Sequence, residues 1–198
     1  MIYESYPYKD ELLKIAKRLR KRKSQKRWPE ESFIIMEKDV FFACFIIRKL
    51  IEARTKISNS TAKMQLNLIR YPVLEGKVPN IRNNHRADEL YDLQKGSKCQ
   101  RNLHDVVSEI IHSYILMFSL GQMKYLEDDF SILFNSFKQR RQSIFSIHID
   151  DFCDLLELIG NDYPSSGSYR YNERTQDYDV LFESSPDKQK MIDFLHDS

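Results

Sequence analysis

Residues 130–149, FSILFNSFKQRRQSIFSIHI, decide the fold class. Two runs rich in aliphatic and aromatic residues, 130–137 and 143–149, flank the charged connection KQRRQ (138–142), and runs of that kind joined by a short polar link read as an antiparallel hairpin. Downstream, Asp150 or Asp151 is expected to cap a helix over 152–159 that stops at Gly160-Asn161. A second hairpin is expected from 168–171 and 178–183 around NERTQD (172–177), and Ser185-Pro186 opens a short terminal helix to His196.

Upstream of the hairpin, Leu103, Val106, Val107, Ile110, Ile111, Tyr114, Ile115 and Phe118 keep a helical spacing, which predicts one amphipathic helix over 101–118. In AKMQLNLIRY, Met64, Leu66 and Leu68 alternate with Lys63, Gln65 and Asn67, the period-two signature of a strand over 62–71. Residues 72–100 are polar and carry Gly76, Pro79, Asn83-Asn84 and Gly96, so this stretch reads as a long irregular segment in which only ADELYDL (87–93) suits a helical turn. Segments of that length are functional or mobile more often than core elements are.

At the N-terminal end, Leu12, Ile15, Ala16 and Leu19 mark a helix over 8–24, and SQKRWP (24–29) breaks it. Pro29, Glu30 and Glu31 start a second helix to about residue 54, apolar on several sides from Phe33 to Ile51, which reads as the central core helix; a strand competes because of its β-branched and aromatic content. The order of elements predicts an α+β fold: a mainly antiparallel sheet of four or five strands covered by helices, with a helical N-terminal third. At 198 residues a single domain is the expectation, divided into a helical, basic 1–56, a mixed 57–127 and an acidic 128–198.

Composition sets the class. The apolar share is 41%, the aromatic share 12%, with only five Gly and six Pro, as in folded globular chains and unlike disordered ones. Three widely spaced Cys (44, 99, 153) make no C-x-x-C pair, against a disulfide framework or a four-Cys zinc site. The start, MIYESYPYKDELL, lacks the apolar stretch of a secretory signal, and the longest apolar run, 40–47, is too short to span a bilayer. A cytoplasmic protein without a membrane partner is the expectation.

Charge is the strongest functional signal. Lys14 to Arg27 (KIAKRLRKRKSQKR) holds nine Lys or Arg and no acid, although the formal net charge of the chain is only +2. Residues 1–56 carry 15 basic and 8 acidic side chains, and residues 128–198 carry 7 and 14, so the ends are opposite in sign. Closely spaced cations neutralise phosphates and release counterions, and Trp28 could stack on an exposed base, which makes Arg18, Arg20, Lys21, Arg22, Lys23, Lys26, Arg27 and Trp28 the candidate anion-binding residues. The competing reading docks these cations on the acidic third, with Asp150, Asp151, Asp177 and Asp179 as partners within the fold or across a homo-oligomer.

Catalytic signals are weak. Asp105, Glu109 and His112 fall at i, i+4, i+7 on one helical stripe and could share a metal ion, but that stripe lies opposite the apolar face, where solvated residues belong. Asp177, Asp179 and Glu183 alternate along one strand face, as a solvated edge would. Cys153 stands near a helix start, where thiolates are stabilised, yet a small buried hydrophobe is its ordinary role. Five scattered Gly make no phosphate-binding loop, and no cofactor is implied. The tyrosines Tyr163, Tyr169, Tyr171 and Tyr178 suit an interface. The expectation is a non-enzymatic binding or accessory protein of a larger assembly, with a basic helix that contacts nucleic acid or an acidic protein surface; a metal-dependent hydrolase or nuclease is the alternative.

Overall fold

Residues 130–149 form the hairpin that their pattern predicts, and the remaining strands are added on either side of it. The computed structural model describes residues 2–120 and 130–183. Strand β4 (Ser131–Ser136) pairs antiparallel with β5 (Ser143–His148), register Ser131 to His148 and Phe134 to Phe145. β1 (Gln65–Pro72) flanks β5, β2 (Ser97–Asn102) flanks β1, and β3 (Ser113–Ser119) closes the other side, giving the order β2-β1-β5-β4-β3 with every neighbouring pair antiparallel. Along β4 and β5 the first five residues are buried without alternation, because both faces of the sheet are covered.

One face carries the larger core, built from α1 (Tyr6–Arg22), α2 (Glu30–Glu52), α5 (Leu103–Ile111) and α6 (Ile149–Gly160). The opposite face is covered by the segment expected to be irregular. Its short helix α4 (Ala87–Leu90) places Leu90, Tyr91 and Leu93 over Tyr71, Ile115, Leu133 and Ile144. The Tyr91 hydroxyl donates to the Arg140 carbonyl at 2.8 Å and accepts from the Asn135 amide at 2.7 Å, so the segment is bonded into the fold.

Several elements depart from the sequence reading. The single helix expected over 101–118 is a helix and a strand: α5 ends at Ile111, and Tyr114, Ile115 and Phe118 belong to β3, paired with β4 through a register shift between Ser113 and Ile115. Neither Gly nor Pro marks this break, and only partners in the sheet distinguish the two periods. β2 was hidden for the opposite reason, since SKCQRN has no apolar alternation and is a strand only through its ladder with β1. α2 is a helix that buries Met36, Val40, Ala43, Cys44, Ile46, Ile47 and Leu50 in the main core, but Ile34, Phe42 and Phe45 remain 42–48% exposed, so one apolar side of it faces outward. A short α3 (Asn59–Ala62) precedes β1, its first turn capped by Ser58, which accepts from Thr61 N–H. α6 is capped by His148, whose Nδ1 accepts from Asp150 N–H at 3.3 Å, and not by Asp150 or Asp151.

The second hairpin, β6 (Ser166–Asn172) and β7 (Asp177–Glu183), forms a separate two-stranded sheet. Asn59 fixes it by donating to the Val180 carbonyl and accepting from Phe182 N–H, both at 3.3 Å. The terminal helix expected to His196 lies outside the described residues.

α1 and α6 run antiparallel in close contact. Gly160 sits against Leu13, the Cys153 thiol lies 3.6 Å from the Ala16 carbonyl, and Lys23 pairs with Asp150. Lys9 is wholly buried at the far end, donating to the Asp162 carbonyl with its ammonium 4.0 Å from the centre of the Tyr163 ring.

Candidate functional site

The apolar stripe of α1, Leu12, Ile15, Ala16 and Leu19, is buried completely, and this sorts the cations around it. Residues three or four apart share a side of a helix. Arg20 and Lys23 fall beside the stripe on the α6 side; Arg18 and Arg22 fall on the α2 side; Lys14, Lys17 and Lys21 fall on the outer side.

On the α6 side, Arg20 donates through Nε and Nη2 to both oxygens of Glu157 (3.1 and 3.3 Å), pairs with Asp154, and reaches Asp150 at 3.5 Å. Lys23 also pairs with Asp150. The Glu157 hydrogen bonds, with help from Asp154, hold the Arg20 guanidinium above its ordinary pKa against the opposing effect of burial. Helix dipoles reinforce this arrangement. The antiparallel packing sets the basic last turn of α1 beside the acidic first turn of α6, and each charge sign lies at the helix end that favours it.

On the α2 side, Arg18 grips Asp39 with two bonds (2.7 and 3.1 Å) and Glu11 at 2.9 Å. Arg22 donates to the Gln25 amide oxygen at 2.6 Å. Lys14 pairs with Asp10 one turn earlier at 2.7 Å. The side chains of Lys17, Lys21, Lys26 and Arg27 are exposed and make no hydrogen bond or ion pair with the described residues. The basic run thus divides into five anchored side chains and a solvent-facing group of four. The Trp28 ring is 5.7 Å from Phe33 and 5.6 Å edge-on to Phe130, packed against the main core.

Of the acids considered as partners within the fold, Asp150 meets the basic run. Asp177 instead pairs with Arg54 at 3.3 Å, and Asp179 with Asn172 and Arg170. Asp39, Asp154 and Glu157 are partners that the sequence reading missed. The signal was present, because Asp150, Asp154 and Glu157 fall at i, i+4, i+7 on one face of α6.

Asp105, Glu109 and His112 do not converge. Asp105 and His112 are exposed, whereas Glu109 is only 6% exposed, paired with Arg101 from β2 and accepting from Ser136 N–H at 3.1 Å. The expectation that Glu109 faces solvent with its neighbours is therefore corrected. β2 and β4 supply Glu109 with partners on the side that helical periodicity marks as outer. Among the described residues no group of three or more His, Cys, Asp or Glu is placed to hold a metal ion.

Cys153 is buried, and burial pushes its thiol up to about 12, which suits a packed side chain and not a thiolate nucleophile. Tyr169, Tyr171 and Tyr178 are exposed on the hairpin, their rings edge to face at 5.3 and 6.5 Å. Among the described residues no helix is long and apolar enough to cross a membrane. Comparison of the chain with protein-family models, with curated proteins and with solved structures finds no match.

Proposed function

We propose that this chain is a non-enzymatic binding or accessory protein of a larger assembly that contacts a polyanion, in the first instance nucleic acid, through Lys17, Lys21, Lys26 and Arg27. One observation carries the reading. Lys17 and Lys21 are exposed on the outer face of α1 and Lys26 and Arg27 in the link after it, without a carboxylate partner among the described residues, while the rest of the run is anchored. Unpaired cations bind phosphates without first breaking an internal ion pair. The anchored residues orient the surface and do not form it. Trp28, committed to the core, contributes no stacking platform.

A bilayer surface is a poorer partner, because the apolar stripe that would insert is already buried against the fold. A reducing cytoplasmic setting accompanies the reading, given three free thiols of which two are buried.

The test is binding of fluorescent DNA and RNA oligonucleotides to the full chain across a salt series. Four phosphate contacts predict a slope of log K against log salt of about −3 to −4 on duplex DNA. Changing Lys17, Lys21, Lys26 and Arg27 to Ser should abolish binding with the far-ultraviolet spectrum unchanged, and polyglutamate should fail to compete. Retained binding by the quadruple variant, or a flat salt dependence, refutes the reading; efficient competition by polyglutamate would point to an acidic protein partner instead.

A further inference from the structure

On the helix-facing side of β1 the alternating side chains are Leu66, Leu68 and Arg70, two buried and the third exposed. Their ladder partners are Arg101 and Cys99 on β2 and Phe145 on β5. Together with Gln139 and Gln142 from the 137–142 turn, Arg70, Cys99, Arg101 and Phe145 line a cavity of about 220 Å³ that contains no carboxylate among its described lining residues.

One donor is held in place before any ligand arrives. Arg101 is fixed by Glu109, bonded through Nη1, and by the Phe145 ring, whose centre lies 4.7 Å from the guanidinium carbon. Glu109 is held in turn by Ser136 N–H. The Arg70 guanidinium and the side-chain amides of Gln139 and Gln142 make no hydrogen bond with the described residues, and Arg70 has no ion-pair partner among them. Both guanidinium groups act on the Cys99 thiol in the direction that favours thiolate, Arg101 more than Arg70, although burial outweighs them. With Glu109 counted, the surroundings of the cavity keep one net positive charge. Two guanidinium forks and two amides approaching from two strands and a turn suit a small tetrahedral oxyanion, which accepts donors from several directions.

The geometry points to a binding site for a phosphate group in this cavity, either inorganic phosphate or the phosphoryl end of a small molecule, with Arg70 as the principal ligand, Arg101 as a pre-set second ligand and Gln139 and Gln142 as amide donors. The site is separate from the α1 cations and does not depend on them.

Cys99 gives a local readout, since it is the half-exposed thiol and Cys44 and Cys153 are buried. Its rate of reaction with an aromatic disulfide reagent is followed at fixed ionic strength, with inorganic phosphate, glycerol phosphate or acetate added to the full chain. For a dissociation constant on the order of 1 mM, about 10 mM phosphate should slow the reaction about tenfold and saturably. Tighter protection by glycerol phosphate would assign the phosphoryl end of a small molecule, and tighter protection by inorganic phosphate would assign the free ion. Arg70→Gln and Gln142→Leu should each bring protection below about twofold with the thermal midpoint unchanged, whereas the quadruple α1 variant should keep it. The proposal is overturned if phosphate leaves the rate unaltered, if acetate protects equally, if Arg70→Gln retains full protection, or if the α1 variant loses it.

Discussion

Replacing Glu109 by Ala should destabilise this protein far more than its position on the helix implies. The Glu109 side chain is 5% exposed and that of Arg101 24%, so the pair is largely desolvated. Truncating one partner of a buried pair costs about 3–5 kcal/mol, reduced here because Arg101 retains some solvent, and the Ser136 N–H loses its acceptor as well. The expected cost is about 2–4 kcal/mol, or roughly 5–15 °C in the midpoint of a chain of this size. Thermal and urea unfolding followed by circular dichroism would measure it. Glu109→Gln, which keeps an acceptor for Ser136 N–H, should cost less than Glu109→Ala. Glu109→Leu and Arg101→Met alone should each destabilise by leaving the other charge uncompensated, and the Glu109→Leu, Arg101→Met double variant should recover part of the loss. A coupling of about 1–3 kcal/mol is expected from the cycle. A cost for Glu109→Ala within about 0.5 kcal/mol, the range of surface substitutions, together with additive single variants, would refute the buried pair and restore the solvent-facing reading of the stripe.

Gly160→Ala should destabilise by about 1–3 kcal/mol in urea unfolding, because the new methyl would lie 2.7 Å from a Leu13 methyl carbon and 3.1 Å from the Lys9 carbonyl; helix propensity alone would make the change stabilising, so the sign decides. Arg20→Ser should cost on the order of 1 kcal/mol at low salt and much less at 1 M salt, since the Arg20 side chain is 35% exposed and its network is partly screened. Lys49 and Arg48 hold the Glu52 carboxyl at about 2, below its ordinary 4.5. That lowered value favours the folded state above about pH 4.5 and ceases to do so as pH falls toward 2, so Glu52→Gln should flatten the acid limb of a midpoint-against-pH curve and leave the neutral region alone. Cys44 and Cys153 should resist alkylation at pH 8 in the native protein and react fully in urea, with Cys99 modified first.

The hairpin of β4 and β5, the α1 and α2 helices and the second hairpin were legible because each carries its own period or its own turn residues. The stripe Leu12, Ile15, Ala16, Leu19 reads directly as the buried face of α1, and all four residues are fully buried. The failures share a cause. At 103–118 two elements follow one another with apolar spacing that fits a single helix, and β3 exists because β4 offers it a ladder. β2 carries no pattern at all and is defined by its hydrogen bonds to β1. The polar segment expected to be irregular contributes Ala87, Leu90, Tyr91 and Leu93 to the smaller core, spaced too sparsely to announce one.

The candidate site shows the same division. Sequence by itself determined that the charge is sorted between the ends, that α1 has one face to bury, and that its cations outnumber the places on that face. Only the tertiary structure decided which cations lack a partner among the described residues. Burying the stripe turns Arg20 and Lys23 toward α6 and Arg18 toward Asp39, and leaves Lys17, Lys21, Lys26 and Arg27 in water. The reason is physical: the positions of charges along a chain are a local property, whereas their neutralisation depends on which distant helix packs alongside. The same holds for Arg70 and Arg101, thirty-one residues apart in the chain and brought to one cavity by the antiparallel register of β1 with β2.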